Sequence, residues 1–290
     1  MGGALTRDPR LAGVVFTGST DTARLIERSM AARPGAIGTL VAETGGLNVM
    51  LADSSALAEQ LVLDVVQSGF NSAGQRCSAL RVLLVQEEIA PRVRTLLAGA
   101  MDDLVLGDPA RLETGCRSGH RRRRAGDAGE TRGADRQGCE LESSGSQAPR
   151  IRRGRFFAPL ARGNRVAARP CSARFSVPWC TSLKYRARDL DAVIAAVNAL
   201  GYGLTLGIHT RIDGLAQRIA RELRVGNVYI NRNMIGAVVG VQPFGGMGLS
   251  GTGPKAGGPH YLHRLATEQT ITTNTAAIGG NAGLLSLAAR

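Results

Sequence analysis

Residues 42–90 read AETGGLNVMLADSSALAEQLVLDVVQSGFNSAGQRCSALRVLLVQEEIA, and this stretch decides the fold. Asn48–Leu51 is a short apolar run of strand length. A helix is expected from about Ala56 to Phe70. Leu80–Val85 is a second β-rich run, and Ile89–Leu104 has the spacing of an amphipathic helix. Strands alternating with helices argue for a parallel sheet with helices on its faces. The same rhythm extends outward. Upstream, Val14-Val15-Phe16 ends in Thr17-Gly18-Ser19-Thr20, a helix follows from Asp21 to about Ala32, and Ile37–Val41 is another strand. Downstream, a helix over Asp189–Leu200 stops at Gly201. Leu204–His209 is a strand, Ile212–Leu223 a helix and Gly226–Ile230 a strand. A glycine-rich stretch, QPFGGMGLSGTGPKAGGP (242–259), comes next, and the tail from Thr267 is polar and β-like.

The chain has 290 residues, 43% of them hydrophobic, enough for a sizeable core. The start, MGGALTRDPR, lacks the apolar region of a signal peptide, and no run of about 18 apolar residues suggests a membrane span. A cytoplasmic protein is the expectation. The formal net charge of +13 points at first to nucleic acid. Its location changes that reading: 15 of the 36 basic residues but only 5 of the 23 acidic ones lie between Cys116 and Cys180. The single tryptophan, Trp179, and four of the five cysteines (Cys116, Cys139, Cys171, Cys180) lie there too. This segment shows no apolar period of either helix or strand. It reads either as a basic linker or as out-of-frame translation of a GC-rich gene. Its cysteines contain no C-x-x-C pair, so no metal site is expected. Outside it the only cysteine is Cys77.

Four constellations carry chemistry. Cys77, in Phe70-Asn71-Ser72-Ala73-Gly74-Gln75-Arg76-Cys77-Ser78, offers a thiolate nucleophile on a glycine-containing approach. Glu43 closes a strand beside Thr44-Gly45-Gly46, well placed as a general base. Phe16-Thr17-Gly18-Ser19-Thr20 closes a strand and opens a helix, a geometry that holds phosphate. Pro243-Phe244-Gly245-Gly246, followed by Ser250-Gly251, can bring backbone and one aromatic ring to a pocket. Taken singly, each has a plainer explanation: a buried thiol, a solvated turn carboxylate, an ordinary helix cap and a surface loop.

Taken in order, F-T-G-S, E-T-G-G, G-Q-R-C and P-F-G-G-x-x-x-S-G-x-G resemble the aldehyde dehydrogenase superfamily. The match covers about residues 11–115 and 183–290. Residues 42–90, with GYGLTLGIHTRID (201–213) and VGNVYINRNMIGAVVGVQPFGGMGLSGTGPKAGGP (225–259), are similar to L-glutamate γ-semialdehyde (Δ1-pyrroline-5-carboxylate) dehydrogenases, especially the C-terminal module of bifunctional proline utilisation A flavoproteins.

The resemblance implies an α/β aldehyde dehydrogenase-like fold: the C-terminal part of the cofactor domain plus the catalytic domain, with a disordered or misfolded insert. In those terms residues 1–44 are a remnant of the NAD(P)-binding domain, 45–115 and 183–262 two parts of the catalytic domain, 116–182 an aberrant Arg-rich segment, and 263–290 a dimerisation segment. It implies that Cys77 attacks the aldehyde, that Glu43 activates the hydrolytic water, and that the Cys77 N–H contributes to an oxyanion hole. Gly18, Ser19, Thr44 and Gly45 would contact NAD, with NADP left open. Ser78, Gly236, Ala237 and Phe244 would hold the carboxylate end of glutamate γ-semialdehyde. The intact family implies a homo-oligomer, with no nucleic-acid partner.

The chain departs from the family's pattern in several places. It begins just before F-T-G-S, so most of the dinucleotide-binding half is expected to be missing. Where the family has E-x-F-G-P, Ala173–Trp179 reads ARFSVPW, without the glutamate; Gly154–Pro159 resembles a G-x-F-x-x-P segment. The Arg-rich stretch is expected to pack poorly, and the chain alone to fold poorly and bind NAD weakly or not at all. The alternatives are an inactive truncated or frameshifted remnant and, more remotely, a basic nucleic-acid-binding protein.

Overall fold

The computed structural model describes residues 2–104 and 179–274, with Leu106–Gly107, Cys116–Arg117 and Leu160–Arg165 as strands between them. The N-terminal unit is a small parallel pair, β1 (Gly13–Thr17) and β2 (Thr39–Glu43), joined by α1 (Thr20–Ala31). Ser19 caps α1, its hydroxyl accepting from the Thr22 N–H at 3.2 Å. The strand after α1 starts at Thr39, later than Ile37, which is fully exposed.

The larger sheet holds six strands: β3 (Asn48–Ala52), β4 (Leu80–Gln86), β5 (Leu160–Arg165), β6 (Trp179–Tyr185), β7 (Thr205–His209) and β8 (Asn227–Ile230). Their order is β8-β7-β3-β4-β6-β5, and every pairing is parallel. All residues of β3 and β4 are buried, as expected for central strands of a sheet covered on both faces. Alternation along them sorts the core into two layers. Met50, Leu83 and Val85 pack against α2 (Ala58–Phe70) and α3 (Ala90–Asp102). Val49, Leu51, Val82 and Leu84 pack against α4 (Leu190–Ala199) and α5 (Asp213–Glu222) on the other face. Helix α2 starts at Ala58 rather than Ala56. The Asp53 carboxylate accepts from both the N–H and the hydroxyl of Ser55, which holds the chain in a turn.

The regular pattern returns before Leu183. Strand β6 begins at Trp179, and Cys180 is fully buried. Leu160–Arg165, inside the Arg-rich stretch, pairs along its length with β6. Ladder hydrogen bonds come from the backbone, so a side-chain composition that gives no periodic signal does not forbid an edge strand. The remaining expectations for 116–182, and those for residues 275–290, lie outside the described residues. Residues 267–274 are exposed and carry no strand. Among the described residues, no helix is long and apolar enough to cross a membrane.

Leu83 is fully buried at the centre of the sheet. Leu83→Ala is expected to lower unfolding free energy by about 2–5 kcal/mol. The midpoint of urea denaturation measures this.

Candidate active site

The segment that carries Cys77 leaves α2 by an unusual turn. Ser72 (φ 56°), Ala73 (φ 54°) and Gly74 (φ 61°) are all left-handed. Two of them carry a Cβ, so the conformation costs roughly 1–2 kcal/mol at each and must be imposed by neighbours. Arg81 supplies one of the restraints. Its buried guanidinium donates to the Gly74 carbonyl at 2.5 Å. The β3–β4 register explains how it gets there. Asn48 faces Leu80 but Val49 faces Val82, so Arg81 is the extra residue of a bulge. Arg76 Nε also donates to Ser72 Oγ at 3.1 Å.

Asn48 fixes the other side of the loop. Its Nδ2 donates to the carbonyls of Cys77 (2.7 Å) and Ala79 (2.9 Å), while its Oδ1 accepts from the Thr205 N–H at 3.2 Å. The Thr205 hydroxyl donates to the Ser78 carbonyl at 3.4 Å. Cys77 is half-buried and Ser78 buried. Gly46 lies against the same amide: a Cβ there would come within 2.1 Å of Asn48 Oδ1.

Glu43 sits at the end of β2, in a cradle of glycines. Oε2 accepts from the Gly246 N–H at 2.9 Å. A Cβ at Gly245 would lie 2.7 Å from Oε1, and one at Gly251 would lie 2.9 Å from it. Oε1 is buried without a hydrogen-bond partner. Burial pushes the Glu43 carboxyl from 4.5 up to about 7, opposed by the Gly246 N–H and the Lys255 charge. The late loop is laced to this turn. Thr44 donates its N–H to the Ser250 carbonyl (2.9 Å) and its hydroxyl to the Leu249 carbonyl (2.6 Å), and Glu43 bridges Gly251. Asn227 holds the loop from below, donating to the Pro243 carbonyl and accepting from the Gly245 N–H. Lys255 donates to the Gly226 carbonyl.

The turn that Glu43 opens and the strand start that holds the Cys77 carbonyl through Asn48 lie five residues apart in the chain, at the rim where the small sheet leads into the large one. Gly18 is exposed on that rim, its N–H bonded to the Glu43 carbonyl at 3.1 Å, and Ser19 is exposed at the N-terminus of α1. Thr44 is buried with its N–H and hydroxyl committed to the late loop, so Gly45 and the Thr44 carbonyl are what that turn has left for a ligand. Gly236 has φ 131° and open space where a side chain would go; Ala237 and Phe244 are half-buried. The Gly236 loop adjoins the nucleophile loop through Arg76, whose Nη1 donates to the Ile235 carbonyl at 3.4 Å. Among the described residues, no group of three His, Cys, Asp or Glu could hold a metal ion. Asn48, Arg81, Thr205 and Asn227 were not among the residues singled out from sequence. Their one local signal is a polar side chain inside or at the end of an apolar run.

Comparison with known proteins identifies the class. The profile described as "Aldehyde dehydrogenase family" matches residues 1–271, and the chain belongs to that family. It is 47% identical over 279 residues to the bifunctional protein PutA of Escherichia coli (strain K12), covering 91% of this chain and 21% of that protein. It is 31% identical to the 1-pyrroline-5-carboxylate dehydrogenase of Geobacillus thermodenitrificans, covering 94% and 53%. The crystal structure of a mutant of Bradyrhizobium japonicum proline utilization A superposes with a TM-score of 0.88 at 49% identity, over 96% of this chain and 28% of that one. A Thermus 1-pyrroline-5-carboxylate dehydrogenase with bound NAD gives 0.81 at 26% identity, over 91% and 51%. The chain thus spans about a fifth of the length of the PutA relatives and half that of the shorter dehydrogenases.

The raised Glu43 pKa has a thermodynamic consequence. Between 4.5 and about 7 the folded chain binds more protons at this site than the unfolded chain. The contribution is full below 4.5 and is lost as pH rises through about 7. Glu43→Gln is expected to remove this part of the pH dependence. Urea midpoints of both proteins from pH 5 to pH 8 measure it; parallel curves would count against the buried carboxyl.

Proposed function

We propose that this chain carries the catalytic machinery for NAD(P)-dependent oxidation of L-glutamate γ-semialdehyde to L-glutamate, a step of proline catabolism. The observation that supports this most is the set of bonds that ties the Cys77 segment to Asn48, five residues after the enclosed Glu43, and through Arg76 to the Ile235 carbonyl next to Gly236–Ala237. The relatives named 1-pyrroline-5-carboxylate dehydrogenase support the substrate. In this reading the Cys77 thiolate attacks the aldehyde carbon, and its backbone N–H steadies the oxyanion. When bound, NAD(P) supplies the two-electron hydride acceptor. Cys77 then holds the acyl group as a thioester. Deprotonated Glu43 takes a proton from water, which adds to the thioester, and the thiol leaves. A carboxyl titrating near neutrality suits this task.

Ser78, Gly236 and Ala237 grip the substrate's α-carboxylate, and Phe244 packs on its stem. Gly18 and Ser19 face the cofactor's phosphates at the start of α1, and Thr44 and Gly45 its nicotinamide. The exposure of Gly18 and Ser19, and the open helix terminus beneath them, fit that group. Residues 1–44 serve the cofactor side, 45–115 and 183–262 the catalytic side, and 263–290 self-association. The need to keep the Cys77 thiol reduced supports a cytoplasmic setting for the reaction.

The full chain, mixed with L-glutamate γ-semialdehyde and enough NAD to offset the weak binding expected from its sequence, is expected to form reduced nicotinamide. Cys77→Ala should abolish this. Glu43→Gln should slow turnover by about a hundredfold or more while an acyl adduct accumulates on Cys77, visible by intact mass. Turnover that survives Cys77→Ala would refute the reading. A chain that is alkylated at Cys77 yet never reduces NAD would favour a remnant that keeps the fold without the activity.

A further inference from the structure

Helix α2 buries polar side chains where an apolar ridge is expected. In its sequence, AEQLVLDVVQSGF, the residues Gln60, Asp64, Gln67 and Ser68 fall at i, i+4, i+7 and i+8, one stripe of the helix. Asp64 is 3% exposed and Ser68 1%. Such groups are costly to bury unless they are hydrogen-bonded. Their partners lie in the loop after β8. Ser68 Oγ accepts from the Met234 N–H at 3.1 Å, and Gln67 Oε1 accepts from Asn233 Nδ2 at 3.0 Å. Asp64 accepts from Gln60 at 2.8 Å and lies 3.6 Å from His209 Nε2. The same imidazole, buried at the end of β7, is hydrogen-bonded to the Arg232 backbone. Asn233 and Met234 are thus tied directly to one side of α2, and Arg232 to the imidazole that lies beside Asp64. Two residues further on is Gly236-Ala237. The same helix ends at Phe70, seven residues before Cys77.

We propose that Asp64, Gln67 and Ser68, with His209, fix the spacing between Cys77 and the Gly236–Ala237 amides, and so select aldehydes whose carboxylate lies at one set distance from the carbonyl. The proposal rests on the reading that those amides hold the substrate's carboxylate. All four are positioning residues, since none touches the reacting atoms. A single rigid element carries the nucleophile turn at its end and grips the anchor loop along its flank. A loosened grip would let the anchor wander relative to the sulfur while Cys77 itself stayed in place.

The test uses the full chain with Ser68→Ala and Gln67→Ala. Two quantities are measured: amide hydrogen exchange, and the protection of Cys77 from iodoacetamide by L-glutamate and by the one-carbon-shorter L-aspartate. Ser68→Ala leaves the buried Met234 N–H without its acceptor. Exchange at Ile235–Ala237 is expected to quicken by about tenfold or more, with Val82–Val85 unchanged. The L-glutamate concentration for half-protection should rise by about fivefold or more. The preference for L-glutamate over L-aspartate should shrink, which lost stability alone would not cause. The rate of alkylation without ligand should stay the same. If Ser68→Ala also speeds exchange in Val82–Val85, the half-exposed Gln67 decides the matter through the same readouts. Undiminished protection and preference in a folded variant would overturn the spacing role and leave the substrate reading intact. No protection of the unsubstituted chain by L-glutamate would overturn both.

Discussion

The Asn48 carboxamide is the contact on which the geometry of the rim depends. It sits at the first position of a central strand, 2% exposed, and makes three hydrogen bonds to three backbone groups. Two go to the nucleophile segment and one to the neighbouring strand. A buried amide left unsatisfied would cost about 1–3 kcal/mol, so each of the three backbone groups has a defined place. The left-handed run at 72–74 needs such restraint, because nothing in its own residue types would hold it there. Arg81, made available by a bulge, restrains the run from its other end. Strain at the turn and order around it belong to one arrangement.

The glycines near Glu43 have a different origin. Gly245, Gly246 and Gly251 lie where a side chain would meet the carboxylate or its supporting loop at under about 3 Å. Their absent side chains let a carboxyl group be enclosed by backbone. Enclosure raises its proton affinity, and one N–H keeps it from being wholly uncompensated. A water-activating base benefits from both conditions.

The two residues proposed to carry the chemistry stand out in the sequence by their local setting: a lone cysteine after Gly-Gln-Arg and a glutamate closing a strand before Thr-Gly-Gly. The central strands were legible because burial on both faces makes them continuous apolar runs. Asn48, Thr205 and Asn227 were not, because their partners lie far away in sequence and an isolated Asn or Thr says nothing of what it will meet. The bonds of the Thr44 N–H and hydroxyl to the late loop were hidden in the same way. Strand β6 was placed too late because Trp179–Thr181 follow an irregular composition, whereas pairing to β4 depends on main-chain geometry. The helix rhythm of α2 was evident, but its polar stripe looks in sequence like an ordinary solvated face.

The link between Glu43 and Gly251 also bears on how the chain is made. The turn after β2 is closed by residues more than two hundred positions later. During synthesis, β1 and β2 leave the ribosome some two hundred residues ahead of the loop that closes their turn. The contacts around Glu43 and Thr44 form only after the segment 243–256 has emerged. Enclosure of the carboxylate is therefore a late event of translation, however early its strand is made.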